Sequence, residues 1–157
     1  MTTQELLEED MAGGEHGEIA VILSSYLFAH IHPHKLGRIF DGQTVFVVGG
    51  KPARRQPDVA FVKLERMPAR IEGEIPFAPD LAVEIVSLND ISTEIDRKTL
   101  QYQQAGVSLI WVVRPVLKFV EVYHSADVKP LLLGLNDELD GEDVIPGFKL
   151  KISTLFE

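Results

Sequence analysis

Hydrophobic and polar positions follow two different periods along the 157-residue chain. After two consecutive glycines, apolar residues recur at helical spacing from Ile19 to Leu27, which predicts an amphipathic helix that ends near His30. Pro33 is expected to stop this helix, because proline lacks the backbone N–H that the next turn would need. A second helix is predicted from about Thr93 to Ala105.

Beyond Gly37 the pattern changes to short runs rich in Val, Ile and Phe that are separated by turn residues, and such runs predict strands. The first four are expected to form a meander and the last two to be edge strands. The predicted strands are Arg38–Phe40, Thr44–Val48, Pro57–Lys63, Asp80–Val86, Ser108–Val113, Phe119–Tyr123, Leu131–Leu133 and Phe148–Ile152. The order of helix, strands, helix and strands predicts a mixed α/β or α+β sheet with few helices.

Length and composition define the class of protein. A chain of 157 residues that is 45% hydrophobic can bury a core without disulfides or a structural metal, and it contains no cysteine. Zinc fingers and disulfide-stapled secreted domains are therefore excluded. We expect one domain over residues 1–157, no membrane span and a cytoplasmic location, because no apolar run approaches the length of a spanning helix.

The net charge of −9 argues, taken alone, against a phosphate-rich partner. The charge is segregated, however: residues 1–20 carry −6, whereas residues 51–70 carry +4. This basic block surrounds a Pro-Asp pair and contains Arg54, Arg55 and Lys63, which are candidates for binding a nucleic-acid backbone. Composition therefore does not exclude DNA as a substrate.

Two similar segments place Pro-Asp at the start of an apolar strand, at Asp58 and at Asp80. In the second segment Glu84 follows within the apolar run Leu-Ala-Val-Glu-Ile-Val. Burying an unpaired carboxylate there would cost on the order of several kcal/mol. One interpretation is an exposed face of an edge strand or a salt bridge to an arginine. The other is that Glu84 and Asp58 converge on a divalent cation.

The second predicted helix carries a polar stripe made of Lys98, Gln101, Tyr102 and Ala105. Such a stripe is usually solvent-facing. Because the helix directly follows the strand of Glu84, its inner face could instead bring Lys98 back to the carboxylates.

Segments spread over nearly the whole chain resemble those of a known family. They are Gly14–Gly17, Leu36–Arg38, Arg55–Val62, Ala78–Ser87, Lys98 with Tyr102, Ala105–Val107, Trp111–Val113 and Pro146–Phe148. Together they resemble the Uma-type family of restriction-endonuclease-like proteins, within the PD-(D/E)XK nuclease superfamily. The resemblance implies a mixed β-sheet core flanked by helices, with a metal-dependent phosphodiesterase site on one side of the strands.

The resemblance also implies roles for particular residues. Asp58 and Glu84 would hold Mg²⁺ or Mn²⁺, and Lys98 would serve catalysis. Glu15 resembles an acidic residue that assists metal binding in such nucleases, and Glu18 is the competing candidate. We favour Glu15.

The chain departs from the pattern in two places, and one match leaves the role of its residue open. The superfamily lysine would stand two positions after Glu84, where this chain has Val86, so the resemblance places the lysine at Lys98. Arg114 stands where the family usually has Asp. Asp80 matches the family's Pro-Asp, but a structural role at the strand entrance fits it as well.

The function implied is that of a Mg²⁺-dependent endonuclease that hydrolyses phosphodiester bonds in DNA, working as a homodimer if it cuts both strands. The alternative is a nuclease-fold protein whose site has drifted and which serves as a binding or assembly module. A third possibility is that the substrate is a different phosphoester, such as RNA or a nucleotide.

Overall fold

The computed structural model describes residues 13–67 and 69–157. Two α-helices, ten strands and two short 3₁₀ turns, Leu64–Arg66 and Ile152–Phe156, are present in these ranges. The helices are α1 (Gly14–His34) and α2 (Ser92–Gln104). The strands are β1 (Gly37–Asp41), β2 (Phe46–Val47), β3 (Arg54–Arg55), β4 (Val59–Lys63), β5 (Leu81–Ile85), β6 (Leu109–Arg114), β7 (Phe119–His124), β8 (Leu131–Leu133), β9 (Glu138–Asp140) and β10 (Lys149–Lys151).

Six strands form one mixed sheet in the order β1-β4-β5-β6-β7-β8. Strands β5 and β6 are parallel and α2 connects them, whereas the other neighbours are antiparallel. A parallel pair needs such a crossover connection, and the helix after β5 supplies it. The predicted α+β class with a mixed sheet is confirmed, and β8 is an edge strand as expected.

The meander prediction was wrong in its second strand, and the last predicted edge strand belongs to a separate small sheet. Strands β2 and β3 form a separate two-stranded ribbon, and β10 pairs only with β9 among the described residues. Glycines follow β2 and prolines flank β3, and they limit each of these two strands to two residues.

The two faces of the sheet have different covers. On one face α1 packs the side chains of Ile19, Leu23, Leu27 and Ile31 against alternate residues of the strands, including Trp111. On the other face α2 packs Tyr102 and Ile95 against Ala60, Ala82 and Val112. Because successive strand residues point to opposite faces, the central strands are apolar on both sides.

The bounds of α1 differ from the predicted ones at both ends. The helix begins at Gly14, so Glu15 lies in its first turn and not ahead of it. It also continues past Pro33 to His34 and ends where Lys35 adopts a left-handed conformation. Proline loses only its own N–H bond, and near the C-terminus the remaining turn closes without it.

Neither of the helices in the described ranges combines the length and apolar character that crossing a membrane requires.

Candidate active site

The pairing of β4 with β5 brings Asp58 close to Glu84. In this antiparallel pair Val59 lies opposite Val83 and Ala60 opposite Ala82. Asp58 directly precedes β4, and its N–H donates to the Val83 carbonyl at 2.9 Å. Its negative charge is near enough to Glu84 to raise the pKa of that side chain. The fold therefore brings together the two carboxylates that the sequence singled out.

Glu84 lies on the α2 face of a central strand, and its side chain is 5% exposed. The interpretation that Glu84 occupies an exposed edge strand is therefore wrong. Its Oε1 accepts a hydrogen bond from the Tyr102 hydroxyl at 3.1 Å and lies 3.6 Å from Lys98 Nζ. The cation beside Glu84 is thus a lysine, not an arginine.

Burial raises the pKa of Glu84 to about 7. The positive charge of Lys98 opposes this rise, the negative charge of Asp58 adds to it, and the Tyr102 hydrogen bond opposes it again. A carboxylate with its pKa near neutrality, close to a second carboxylate, is an arrangement typical of functional sites.

The carboxylate of Asp58 is held through both of its oxygens. Oδ2 accepts the backbone N–H of Ile85 at 2.7 Å, and Oδ1 lies 3.2 Å from His16 Nε2. The hydrogen bond to Asp58 raises the pKa of His16 above its usual 6.5, against the opposing effect of burial. The nearby charges of Asp90 and Glu84 act in the same direction as Asp58.

The inner face of α2 is the polar one. Gln101 and Tyr102 are buried, and Lys98 is 30% exposed with its ammonium beside Glu84. Of the two interpretations of this stripe, the structure supports the one in which the stripe faces the sheet. The turn after β5 directs the helix back across the same face of the sheet, so Lys98 approaches Glu84 from the second turn of α2.

The structure does not bring every predicted residue to this site. Glu15 and Glu18 are exposed in the first turns of α1, where His16 rather than either glutamate contacts Asp58. Lys63 lies five residues beyond Asp58 at the other end of β4, roughly 16 Å away at the rise of an extended strand. Arg54 points away and forms a bidentate pair with Glu74, with Nε 2.6 Å from Oε2.

Arg55 differs from its neighbour Arg54. Its Nε donates a 2.7 Å hydrogen bond to Gln101 Oε1 on α2, next to Tyr102. Of the three basic residues predicted to bind substrate, Arg55 is the one that the fold directs to the α2 face of the carboxylates.

Asp80 takes the structural role that the sequence left open. Its Oδ2 accepts the backbone N–H of Lys63 at 2.8 Å, and its Oδ1 lies 3.0 Å from Arg66 Nη1. Arg66 also donates to the Ala78 carbonyl and lies over the Phe77 ring. These contacts fix the segment that leads into β5.

Sequence reasoning did not assign His16, Gln101 or Tyr102 to the site. A signal existed for Tyr102 and Gln101, since both lie on the same predicted helical stripe as Lys98. His16 lies in the Gly14–Gly17 segment that resembles the family, but its contact with Asp58 could not be predicted, because it joins residues 42 positions apart in the chain.

The donor set determines which metal the site could hold. Within the described residues no group of three or more His, Cys, Asp or Glu side chains is arranged to hold a metal ion. Mg²⁺ does not need such a group, since it keeps several waters and binds through one or two carboxylates. Burial and the negative charge of Asp58 make the ionised form of Glu84 unfavourable. A hard divalent cation bound by both carboxylates would offset this cost, so the two residues fit an ion of this kind.

Comparison with known proteins gives a family and a fold. No functionally curated protein matches the sequence. A solved structure described as "a putative nuclease belonging to DUF820 from Anabaena variabilis ATCC 29413" superposes with a TM-score of 0.81 at 22% identity, covering 94% of this chain and 83% of that one. The profile of the Uma2 family, described as "Putative restriction endonuclease", matches residues 3–153. The chain belongs to the Uma2 family.

Proposed function

We propose that this protein is a divalent-metal-dependent endonuclease that hydrolyses phosphodiester bonds in DNA. The observation that carries the proposal is the closeness of the Asp58 and Glu84 carboxylates at the pairing of β4 with β5, with Lys98 Nζ 3.6 Å from Glu84 Oε1. Membership in a family described as restriction endonucleases, and a similar fold in a protein described as a nuclease, support the same reaction class.

The proposed cofactor is Mg²⁺ or Mn²⁺, held by Asp58 and Glu84. When bound, such an ion activates water and neutralises charge on a phosphate. The hydrogen bond from Ile85 N–H fixes the Asp58 carboxylate, and Tyr102 fixes that of Glu84. Both ligands are therefore oriented before any ion arrives, which lowers the entropic cost of binding.

Lys98 has a distinct role in this proposal. Its ammonium lies beside Glu84 and remains partly exposed, so it can stabilise negative charge that develops on the phosphate during hydrolysis. A lysine on the helix after β5 would then do the work of the superfamily lysine, whose usual position holds Val86.

The test is a cleavage assay on supercoiled plasmid with Mg²⁺, Mn²⁺ or EDTA. The wild type is expected to cut only with a metal, and Asp58→Ala is expected to abolish cutting. Asp80→Asn is the matched control, because it alters the other Pro-Asp segment away from the proposed site. Metal-dependent cutting that persists in Asp58→Ala would contradict the assignment.

Substrate class is tested in the same assay. RNA of the same sequence and bis(p-nitrophenyl) phosphate, offered beside the DNA, separate a DNA enzyme from one that acts on another phosphoester. A wild type that is folded yet cuts none of the three with either metal would favour the drifted binding module instead.

A homodimer is part of the proposal for double-strand cutting. Strand β8 leaves one edge of the main sheet open, and Leu131 and Leu132 on it are exposed. Exposed apolar edges favour self-association. Light scattering on the purified protein tests the dimer, and a monomer at assay concentration would remove this part of the proposal.

A further inference from the structure

Gln101 is a buried amide whose hydrogen-bonding groups are all engaged by one neighbouring ribbon. Its Oε1 accepts from Arg55 Nε at 2.7 Å. Its Nε2 donates to the Gly49 carbonyl at 2.6 Å and to the Pro52 carbonyl. A single side chain of α2 thus holds both the turn between β2 and β3 and the arginine that follows that turn.

The packing at this point is close. A Cβ atom on Gly50 would lie 3.3 Å from Gln101 Nε2, and Gly50 has a φ of +82° that side chains rarely adopt. The turn can approach the amide this closely because glycine stands there. The position of Gln101 is therefore fixed by its surroundings, and it fixes Arg55 in turn.

Arg54 and Arg55 point to opposite faces of the β2–β3 ribbon, and their partners differ in charge. Arg54 is neutralised by the Glu74 carboxylate. Arg55 is held by a neutral amide, which orients the guanidinium without cancelling its positive charge. Within the described residues Arg55 donates a hydrogen bond through Nε alone, so its Nη1 and Nη2 groups are available to a ligand.

Arg55 lies beside the proposed active site. Gln101 is adjacent to Tyr102 and one turn from Lys98 on the inner face of α2. The positive charge of Arg55 acts on Tyr102, where it opposes the rise in pKa that burial causes. The guanidinium therefore stands on the same side of the sheet as the Glu84 carboxylate that Tyr102 contacts.

We infer that Gln101 is a positioning residue that holds the Arg55 guanidinium as a phosphate-binding group next to Asp58, Glu84 and Lys98. The planar guanidinium matches two phosphate oxygens through its Nη1 and Nη2 groups. The inference deepens the proposed function, since it rests on the phosphate being that of the substrate.

The test uses inorganic phosphate as the probe, without metal and without DNA. In protein labelled with ¹⁵N-arginine, the Nε–Hε signal of Arg55 is assigned by its loss in Arg55→Lys and followed as phosphate is added. The wild type is expected to show a saturable shift of this signal. If phosphate does not shift the Arg55 signal of the wild type, the inference is overturned.

Gln101→Met keeps the length of the side chain and removes its hydrogen bonds. It is expected to weaken phosphate binding about 3- to 10-fold, the usual size of a lost hydrogen bond. Arg97→Met is the matched control, because it removes one positive charge from the exposed side of α2, where Arg97 pairs with Glu94. This control is expected to change phosphate affinity less than 2-fold.

A double-mutant cycle separates positioning from a general structural effect. Binding in the cycle is measured by the ³¹P signal of phosphate, which does not need Arg55. If Gln101 acts through Arg55, Gln101→Met weakens phosphate binding in the wild type but not in Arg55→Met. Equal losses in both backgrounds would overturn the inference.

Gln101→Glu serves as a second variant. It keeps an acceptor for Arg55 but neutralises the guanidinium and removes the Nε2 donor to the Gly49 and Pro52 carbonyls, so phosphate binding is expected to fall. Undiminished phosphate binding in Gln101→Glu would contradict the role given to the neutral amide. If Gln101→Met does not fold, this variant alone decides the point.

The outcome is separable from that of the proposed function. If the cycle is coupled but the wild type cuts no substrate, the nuclease proposal fails and the positioning role stands. If the wild type cuts DNA and the cycle is additive, the nuclease proposal stands and Gln101 has no positioning role.

Discussion

The two Pro-Asp segments begin adjacent antiparallel strands and use their aspartates in the same way towards the backbone. Asp58 Oδ2 accepts the N–H of Ile85 at 2.7 Å, and Asp80 Oδ2 accepts the N–H of Lys63 at 2.8 Å. Each aspartate thus ties the start of its own strand to the end of the other. The two ends of the β4–β5 pair are related by an approximate local twofold axis.

The remaining oxygen is where the two segments differ. Asp80 Oδ1 is paired with Arg66, a cation at every physiological pH. Asp58 Oδ1 faces His16, whose charge depends on pH. The Asp80–Arg66 ion pair therefore holds the start of β5 at every physiological pH. The Asp58–His16 contact weakens when His16 loses its proton, which leaves Asp58 able to bind another cation.

The nearby charges differ as well. The negative charge of Asp58 raises the pKa of Glu84, whereas Asp80 is paired with its own arginine. Two carboxylates close together are unfavourable unless a cation approaches, and a carboxylate paired with an arginine is not. The same local motif therefore gives a structural corner at one end and a candidate metal site at the other.

The largest expected difference between the two corners is in catalysis. Asp58→Asn is expected to lower kcat/KM for DNA cleavage by about 10²–10³-fold or more, because it removes a proposed ligand and its charge. Asp80→Asn is expected to stay within about 5-fold of the wild type below its melting temperature. Steady-state cleavage of a labelled duplex measures both. Similar losses in the two variants would remove the functional contrast.

Stability is expected to show the opposite ranking. Asp80→Ala should lower the free energy of unfolding by about 2–3 kcal/mol, because it leaves Arg66 without its partner. This value is smaller than for a fully buried pair, since Arg66 is 37% exposed. Asp58→Ala should cost about 1 kcal/mol or less. Urea denaturation at pH 7 in EDTA gives both values, and Arg66→Met should partly restore Asp80→Ala.

Glu84 is expected to weaken the metal-free fold above neutral pH. The folded state keeps a proton on Glu84 up to about pH 7, whereas the unfolded chain loses it near 4.5, so stability from this group falls as the pH rises between those values. Glu84→Gln should therefore be about 2 kcal/mol more stable than the wild type at pH 8 and about equal at pH 4.

The control for this prediction is Glu121→Gln. Glu121 is buried to a similar extent but is paired with Arg114 and Tyr123, so its loss should destabilise the protein at pH 8. Urea unfolding of both variants over the pH range checks the contrast. A Glu84→Gln variant that is less stable than the wild type at pH 8 would show that its ion pair with Lys98 outweighs burial.

The smallest effect is the stabilisation by metal. At a Mg²⁺ concentration ten times the dissociation constant, binding to the folded state adds about 1.4 kcal/mol, or roughly 3–6 °C in melting temperature. The shift is expected in the wild type and in Asp80→Asn but not in Asp58→Asn. Differential scanning fluorimetry with Mg²⁺ and with a matched concentration of Na₂SO₄ measures it. An equal shift in all three proteins would place the ion elsewhere.

Much of the fold could be predicted from the sequence because its signals are local. Alternating or continuous apolar runs identified the central strands, the 3.6-residue period identified α1, and helix start and stop signals identified α2. The errors fall where tertiary packing decides. The extension of α1 through Pro33 and the separate β2–β3 ribbon depend on what lies next to these segments, which the local pattern does not contain.

The candidate site could be predicted in part for the same reason. Asp58 and Glu84 were conspicuous, because one opens an apolar strand and the other interrupts one. Glu15 was chosen by resemblance and Lys63 by charge; Glu15 is exposed beside His16, and Lys63 lies at the other end of β4 from Asp58. His16 and Gln101 lie at the site through contacts that join distant parts of the chain.

The sequence by itself determined that a carboxylate at position 84 would lie within an apolar strand and that a lysine would follow on the next helix. Only the tertiary structure decided which contacts surround Asp58. The pairing of β4 with β5 brings the Ile85 N–H to its Oδ2, and the packing of α1 brings His16 Nε2 within 3.2 Å of its Oδ1. Both contacts join residues that are far apart in the chain, so no local pattern contains them.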